Sequence, residues 1–489
     1  MAKSVKKNYI YNVLYQMLLL ASPLITAPYA ARVLCPDGIG LQSYAISVMS
    51  CFMLFAYLGS NIYGQREISY VQNDRHKRSI VFWNTFIFKA VTSLVAIVGY
   101  LIFVSFQKEN TIIYLLLTLS LVAVTADISW FFQGVEDFGK TVARSSIIRI
   151  LSIVFLFLFI KKKEDLWLYM GSTCAFDLIG NLVLWGYLPR YIDKTDWKEL
   201  APFKDYKVIL ALFVPAAATT VYSVLDKTMI GIFTDTSFEN GFYEQSLKLS
   251  RMVLAIVTAL GTVMIPRIGH YFSEGNNIKV REKISNGYRF VWFLGIPACL
   301  GLMGVAGHIV PWFYGPGYDK VVPLLRITSL LILAIGINNV TGVQYMVTTK
   351  RQNLYTKTII IGACTNFALN LILIPRYFAM GAAIASVAAE TLIAVVQFIY
   401  VRNEISWKDS FASCRNYLLC GLAMFALIFF EGRMLHPSIL SALIMTFSGA
   451  ALYLGLLFII RDDYFISNIV SVKDSVLVKM GLMEMEEKE

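Results

Sequence analysis

Long apolar stretches, separated by short polar segments, follow one another along almost the whole chain. A helix needs about 20 mostly apolar residues to cross the hydrocarbon core of a bilayer, and fourteen stretches have this character. They are residues 10–34, 40–60, 80–104, 111–132, 142–160, 167–187, 208–232, 245–265, 286–310, 322–346, 356–374, 379–401, 415–432 and 437–460. The pattern predicts an all-α polytopic membrane protein with about 14 transmembrane helices.

The composition excludes most other classes of protein. Of the 489 residues, 57% are apolar and only 15% are charged, whereas soluble domains contain roughly 25% charged residues. The seven cysteines form no C-x-x-C pair and the four histidines are scattered, so we expect neither a disulfide framework nor a metal site. No P-loop and no H-E-x-x-H motif is present. We therefore expect no catalytic residues, no enzyme activity and no cofactor.

The net charge of +11 is carried mainly by segments that would lie on one side of the membrane. Cytoplasmic loops of membrane proteins are rich in Lys and Arg, so both termini are predicted to be cytoplasmic. Nucleic acid is not an expected partner, whereas anionic membrane lipids are. One turn disagrees with this topology, because Lys161, Lys162 and Lys163 would lie outside. Either these lysines reach lipid headgroups or the connection is unusual.

The predicted outer loops are short, and the longest covers only about residues 233–244. An enzyme that acts on external substrates needs a folded loop to hold its catalytic acids, so a membrane glycosyltransferase or polymerase is disfavoured. The C-terminal segment 462–489 mixes apolar residues with lysines. Such a mixture predicts an amphipathic helix at the cytoplasmic membrane surface.

Weak internal similarity divides the chain into two halves. Gly40 precedes Arg66 by 26 residues, and Gly241 precedes Arg267 by the same interval. A repeat of six spans keeps its orientation, so the halves would be related by an axis along the membrane normal, and transporters place their substrate path between such halves. The predicted domains are residues 1–200 with helices 1–6, residues 201–401 with helices 7–12, and residues 402–489 with helices 13–14 and the tail.

Eleven charged residues fall in the interiors of predicted spans, apart from those at the start or the outer end of a span. The basic ones are Arg32, Lys89, Arg149, Lys227, Lys248, Arg251 and Arg326, and the acidic ones are Asp127, Asp177, Asp226 and Glu390. A charge at the bilayer centre costs at least about 2.5–3.5 kcal/mol. Side chains near span ends can instead extend to the interface, which is the simpler interpretation for Lys89 and Arg149 and an open alternative for Arg32 and Arg326.

Lys248 and Arg251 stand three residues apart and would share one helical face. They predict a cationic cavity for an anionic substrate; the alternative is an internal ion pair, for example with Asp226. The candidate substrate-binding cations are Arg32, Lys227, Lys248, Arg251 and Arg326. The candidate sites for a coupling ion (H⁺ or Na⁺) or for charge pairs are Asp127, Asp177, Asp226 and Glu390. The aromatic run at residues 130–132 could touch a sugar, although packing is the simpler interpretation.

Four segments resemble the polysaccharide biosynthesis flippase family of the multidrug/oligosaccharidyl-lipid/polysaccharide exporter superfamily. Residues 28–40 (PYAARVLCPDGIG) resemble its first outer turn, and residues 129–143 (SWFFQGVEDFGKTVA) resemble its fourth inner corner. Residues 226–250 resemble its seventh and eighth spans, and residues 365–390, which end in MGAAIASVAAE, resemble its helix 11–12 hairpin. The resemblance covers roughly residues 8–400, and it depends on the order and spacing of the segments rather than on one motif.

The resemblance implies a V-shaped bundle like that of MATE transporters, with two six-helix lobes and two added C-terminal helices. It also implies a flippase of the bacterial cytoplasmic (inner) membrane that moves undecaprenyl-diphosphate-linked oligosaccharide units to the outer leaflet for O-antigen, capsule or exopolysaccharide synthesis, working by alternating access beside the polymerase or ligase machinery. Arg32, Asp226, Lys248 and Arg251 match positions where the family places cavity charges. Cys35 departs from the family, which commonly has Gly there.

A cation-coupled multidrug antiporter of the same superfamily is the alternative function. Such a protein would need an acidic rather than a basic cavity. Seven basic against four acidic residues inside the predicted spans argue against it.

Overall fold

The structure, a computed structural model, describes residues 5–234, 236–405, 410–411 and 414–467, and it contains no strand within these ranges. The α-helices are α1 Val5–Tyr57, α2 Ser60–Tyr70, α3 Arg75–Ser105, α4 Thr111–Ala126, α5 Ser129–Gly134, α6 Phe138–Phe159, α7 Leu166–Trp185, α8 Tyr206–Phe233, α9 Phe238–Ser273, α10 Asn277–Phe290, α11 Ile296–Tyr314, α12 Val321–Thr328, α13 Leu330–Asn338, α14 Gln352–Tyr377, α15 Ala379–Val401, α16 Cys414–Met434 and α17 Ile439–Ile459. π-helical turns at Val291–Gly295 and Asn339–Val347 continue α10 and α13. The predicted tail helix at 462–489 lies mostly outside the described residues.

The prediction of an all-α polytopic membrane protein is confirmed. Eleven helical runs in the described part of the chain are long and apolar enough to cross a membrane. The exact count of fourteen is not confirmed. The first two predicted spans form the single helix α1, and α7 and α8 are not among the eleven runs.

Cys35 breaks α1 between its two predicted spans. It is the residue inside α1 that has non-helical dihedral angles, with φ of 59° and ψ of 169°. This region of φ and ψ is accessible to Gly but strained for a residue with a Cβ, at a cost of about 1–3 kcal/mol. The position where the resembling family commonly has Gly is therefore a position where the backbone itself favours Gly.

Residues 161–163, the basic turn that disagrees with the predicted topology, lie in a segment that contacts α1 near this break. Nζ of Lys163 lies 2.5 Å from Oδ2 of Asp37, and the hydroxyl of Tyr29 donates to the carbonyl of Ile160 at 2.7 Å. The hydrogen bond to the Asp37 carboxylate raises the pKa of Lys163. The turn therefore packs at the same end of the helices as the break in α1, and one of its three charges is compensated within the protein.

The chain forms two compact units that do not follow its order. The first unit comprises Met1–Gln245, Tyr314–Tyr318 and Ala363–Ala385, and the second unit comprises Ser246–Phe313, Asp319–Gly362 and Ser386–Glu489. In the first unit, α1, α3, α4, α6 and α7 share a buried apolar core. The division at residues 200 and 401 stays a prediction.

Within the first unit, the two glycines of the internal repeat lie against each other's helices. A Cβ on Gly40 would lie 1.7 Å from the carbonyl oxygen of Ser237, and a Cβ on Gly241 would lie 2.0 Å from that of Pro36. No side chain fits at such distances, so α1 and the start of α9 are in direct backbone contact. The repeated glycines thus mark a helix crossing.

The predicted span 111–132 is interrupted, which corrects the sequence analysis. Helix α4 ends at Ala126, and α5 begins at Ser129. The Asp127 carboxylate accepts a hydrogen bond from the backbone N–H of Ser129 at 2.9 Å, and such side-chain bonds compete with helical hydrogen bonds. The apolar run continues through the break, so hydropathy could not reveal it.

We predict that Cys35→Gly raises the thermal unfolding midpoint in detergent, because the substitution relieves about 1 kcal/mol of backbone strain. The matched control is Cys51→Gly, since Cys51 lies in the helical part of α1 and glycine there should cost about 1 kcal/mol. An equal loss of stability in both variants would contradict the interpretation.

Candidate functional site

Lys89 is fully buried and bonded inside the first unit. Its ammonium donates to Oδ1 of Asn61 at 3.0 Å and to the backbone carbonyl of Asp127 at 2.7 Å, and it lies 3.9 Å from the Asp127 carboxylate. Its side chain is 0% exposed, so the interpretation that Lys89 extends to the membrane interface is wrong. A buried ammonium is tolerated only when it is paired and hydrogen-bonded, and the break at Asp127 supplies both a carboxylate and a backbone carbonyl.

A polar cavity of about 340 Å³ lies beside this pair, and all its lining residues belong to the first unit. Asp127, Asp177 and Arg149 line it together with Arg144 and Asn181. The structure therefore brings together two of the candidate acids and two arginines in one place. These residues come from the break after α4 and from helices α6 and α7.

Hydrogen bonds fix the polar wall of this cavity. Asn181 donates to the carbonyl of Ala123 at 2.7 Å and accepts from the Arg144 guanidinium. Nε of Arg149 donates to Oγ of Ser22 at 2.8 Å. Sequence reasoning missed Arg144 and Asn181 as site residues. The available signal was the placement of Asp177 and Asn181 four residues apart, which puts both on one face of α7.

Asp226 forms a second buried polar group in the first unit. It is 8% exposed, and its carboxylate accepts hydrogen bonds from the Tyr243 hydroxyl and, at 2.6 Å, from Nδ2 of Asn370. Asn370 also donates to Oδ1 of Asn366 at 3.0 Å. The two asparagines lie four residues apart on α14 and escaped the sequence analysis because uncharged polar residues are unremarkable in spans.

The two candidate cations of the first unit, Lys227 and Arg32, differ in their contacts. Lys227 is paired with Glu244, whose Oε2 lies 2.5 Å from its ammonium. The Ser43 hydroxyl donates to the same carboxylate oxygen at 3.3 Å. Arg32 is exposed, and its aliphatic stem packs against Gly315. The structure thus compensates the charge of Lys227 within the protein.

Three candidate cations lie at one depth in the second unit. Lys248 and Arg251 are on α9 and Arg326 is on α12; Lys248 is half-buried, and the two arginines are exposed. The hydroxyls of Ser250 and Thr328 meet at 2.8 Å and join the two helices.

The depth of these cations follows from that contact. One spanning run, Asn277–Tyr314, separates α9 from α12 along the chain, so the two helices run in the same direction. Lys248 and Arg326 each precede the Ser250–Thr328 contact by two residues, and Arg251 follows it by one. At about 1.5 Å of rise per residue, all three Cα atoms fall within about 5 Å along the membrane normal.

In the second unit, Glu390 of α15 takes part in a row of polar contacts that we call the polar seam. Its carboxylate accepts a hydrogen bond from Nδ2 of Asn338. Fourteen residues further along the chain, the Glu404 carboxylate lies 2.6 Å from Nη1 of Arg351 and accepts from the Tyr345 hydroxyl. Burial alone would raise the pKa of Glu404, but Arg351 and Tyr345 outweigh it and lower that pKa. The seam joins α13 and its π-helical continuation to α15.

The aromatic run in α5 is part of the core. Trp130, Phe131 and Phe132 are buried, and Phe82 stacks on Trp130 with ring centroids 5.6 Å apart. Packing therefore accounts for these three side chains, and the structure leaves none of them exposed for a sugar.

Comparison with known proteins relates both sequence and fold to transporters. The profile of a family described as "Polysaccharide biosynthesis protein" matches residues 5–272. A protein of Escherichia coli K12 named as an O-antigen transporter is 24% identical over 408 residues, which cover 82% of this chain and 97% of that protein. The lipid II flippase MurJ of Bacillus subtilis 168 is 24% identical over 343 residues, covering 63% and 62% of the two chains.

Solved structures share the fold. The lipid II flippase MurJ in an inward closed conformation aligns with a TM-score of 0.73 at 17% identity, covering 94% of this chain and 99% of that one. An inward-facing MATE multidrug resistance transporter aligns with a TM-score of 0.60 at 12% identity, covering 80% and 94%. The expectation of a MATE-like helix bundle is confirmed at the level of the fold.

We predict that Asp127→Ala lowers the free energy of unfolding by about 3–5 kcal/mol, because it leaves the buried Lys89 ammonium without a counter-charge. The double variant Lys89→Met with Asp127→Ala should lose less than the single variant, since it removes both charges. Unfolding in mixed detergent micelles measures the two losses. Additive losses in the double variant would show that the two residues do not interact.

Proposed function

The chain belongs to the polysaccharide biosynthesis protein family, and on this premise we propose that it is a flippase for lipid-linked oligosaccharides. Its substrate would be an undecaprenyl-diphosphate-linked repeat unit, moved from the inner to the outer leaflet of the cytoplasmic membrane. The names of its relatives support this proposal, since they describe transport of O-antigen and of lipid II. The translocated repeat unit would be used for synthesis of O-antigen, capsule or exopolysaccharide.

The observation that carries the proposal is the group of cations at one depth in the second unit. A diphosphate is a dense anion whose passage through hydrocarbon is unfavourable. Guanidinium groups bind phosphate oxygens through paired, charge-assisted hydrogen bonds, and an ammonium adds a point charge. Arg251 and Arg326 are exposed and Lys248 is half-buried, and we propose that their charged groups replace part of the water that a diphosphate loses.

The proposed mechanism is alternating access. Lys248, Arg251 and Arg326 hold the diphosphate within the membrane, with Arg32 as a further cation of the path. Lys227 contributes through its ion pair with Glu244, which compensates the charge of the lysine. The polyprenyl tail stays in lipid, so only the polar head needs a protein path. Polymerase or ligase machinery would receive the unit in the outer leaflet.

Asp226 is the acid that we assign to coupling with H⁺ or Na⁺. A buried carboxylate held by Asn370 and Tyr243 can take up a proton or join with amide oxygens around a hard cation. Asp127 already faces Lys89, and Glu390 accepts from Asn338. Asp177 lies in the other cavity of the first unit. Among the candidate acids, Asp226 is buried and accepts hydrogen bonds from two neutral side chains, Tyr243 and Asn370.

A cation-coupled multidrug antiporter is the alternative function, and the shared fold with a MATE transporter favours it. Such a protein would attract cations to its substrate path. Arg251 and Arg326 would repel them, so the arginines favour the flippase.

We predict that Lys248→Ala with Arg251→Ala lowers surface glycan by about tenfold or more, because a diphosphate loses two charge-assisted contacts. Undecaprenyl-diphosphate-linked units should accumulate in the inner leaflet while the protein level is unchanged. The matched control is Lys207→Ala with Arg402→Ala, which removes two exposed cations outside the spanning runs. Normal surface glycan in the first variant would contradict the assignment.

For coupling, we predict that Asp226→Asn abolishes the acceleration of flipping by an imposed H⁺ or Na⁺ gradient in proteoliposomes, because an amide neither titrates nor carries a charge. Asp463→Asn, at an exposed acid outside the spanning runs, should leave that acceleration intact. Unchanged acceleration in Asp226→Asn would remove Asp226 from the coupling mechanism.

A further inference from the structure

We propose that the cavity inside the first unit is a saccharide subsite that binds one sugar ring of the head group. This inference rests on the proposed flippase function and adds a second site to it. The subsite lies wholly within the first unit. The sugar subsite is defined as the cavity lined by Asp127, Arg144, Arg149, Asp177 and Asn181.

The size of the subsite suits a monosaccharide. Its volume of about 340 Å³ lies at the lower end of the range of small-molecule sites, about 300–1,000 Å³. The cavity is open on one side, and its lining residues Thr173 and Asp177 are exposed, so a ligand can reach it. A complete oligosaccharide would not fit, so the subsite would hold one ring while the rest of the head group remains outside it.

The chemistry of the wall matches hydroxyl groups rather than a single ion. An anion site would not place Asp177 beside its arginines, and a cation site would not place Arg144 and Arg149 beside its acid. Sugar hydroxyls both donate and accept hydrogen bonds, so they pair with guanidinium, amide and carboxylate groups together. The remaining polar wall is rich in hydroxyls, from Tyr15, Tyr57, Ser120, Ser145, Ser152 and Thr173.

Hydrogen bonds within the protein fix the wall of the subsite in the absence of a ligand. Asn181 connects α7 to α4 and α6 through Ala123 and Arg144, and Arg149 is anchored to α1 through Ser22. Lys89 holds Asp127 from the side of α3. Asp177 remains exposed and lines the cavity. Such fixed polar groups lower the cost of ordering a site around its ligand.

The depth of the subsite agrees with the proposed direction of transport. Helix α4 begins at Thr111, on the predicted outer side, and Asp127 follows its last residue. At about 1.5 Å of rise per residue, Asp127 lies about 24 Å along the helix from that outer end. The subsite therefore lies toward the predicted cytoplasmic side, where a head group from the inner leaflet would enter.

Binding of two lipid probes to the full chain in nanodiscs tests this assignment. The probes are undecaprenyl diphosphate and undecaprenyl diphosphate that carries N-acetylglucosamine. We expect the wild type to bind the sugar-bearing probe about tenfold more tightly, as expected from one or two added hydrogen bonds to charged groups. Asp177→Asn should lose this preference and retain the wild-type affinity for undecaprenyl diphosphate.

A cavity-filling variant separates a binding role from a structural one. Thr173→Trp should also remove the preference for the sugar-bearing probe, because the indole would occupy the subsite. The matched control is Thr391→Trp: both threonines are exposed, and both hydroxyls donate to the carbonyl four residues earlier. The control should bind both probes like the wild type.

The outcomes distinguish the inference from the proposed function. Equal affinity of the wild type for both probes would overturn the sugar subsite and leave the flippase proposal intact. Equal losses for both probes in Asp177→Asn and Thr173→Trp would also overturn the subsite, because they would show only a structural role. A wild type that binds neither probe would contradict the flippase proposal itself.

Discussion

The free-energy cost of charge in hydrocarbon governs the arrangement of this molecule. Each ionised group inside the membrane needs a counter-charge, a set of hydrogen bonds or a polar cavity. Lys89 and Asp127 meet the first two conditions together, and the helix break at Asp127 is part of that solution. Lys227 is paired with Glu244, and Asp226 is held by neutral donors.

The cations that we assign to the substrate lie in the second unit. Arg251 and Arg326 are exposed at nearly the same depth as Lys248 in the second unit. In the first unit, arginines and acids instead share one cavity with hydroxyl-bearing side chains. The cavity of the first unit therefore has mixed chemistry, with acids, arginines and hydroxyl groups in one wall.

Hydropathy predicted an all-α membrane protein correctly, because each membrane-spanning helix must be apolar along its length, but it did not give a confirmed number of spans. It separated two spans at the break near Cys35, but it could not predict the break at Asp127, since that apolar run continues through it. The sequence also suggested that Lys89 extends to the membrane interface. Its distance from the span end could not reveal that Asp127, at the end of α4, is its partner. Arg144 and Asn181 were missed for the related reason that a site is formed by tertiary contacts rather than by its sequence neighbours.

The central claim is that the chain moves lipid-linked oligosaccharide between leaflets, and leaflet-resolved quantification in a deletion strain tests it most directly. We predict that undecaprenyl-diphosphate-linked oligosaccharide accumulates in the inner leaflet, that completed surface polymer is lost, and that the wild-type gene reverses both changes. Single unpolymerised units on the outer surface would contradict the claim and indicate a polymerase. Unchanged lipid pools with altered sensitivity to cationic drugs would indicate the antiporter.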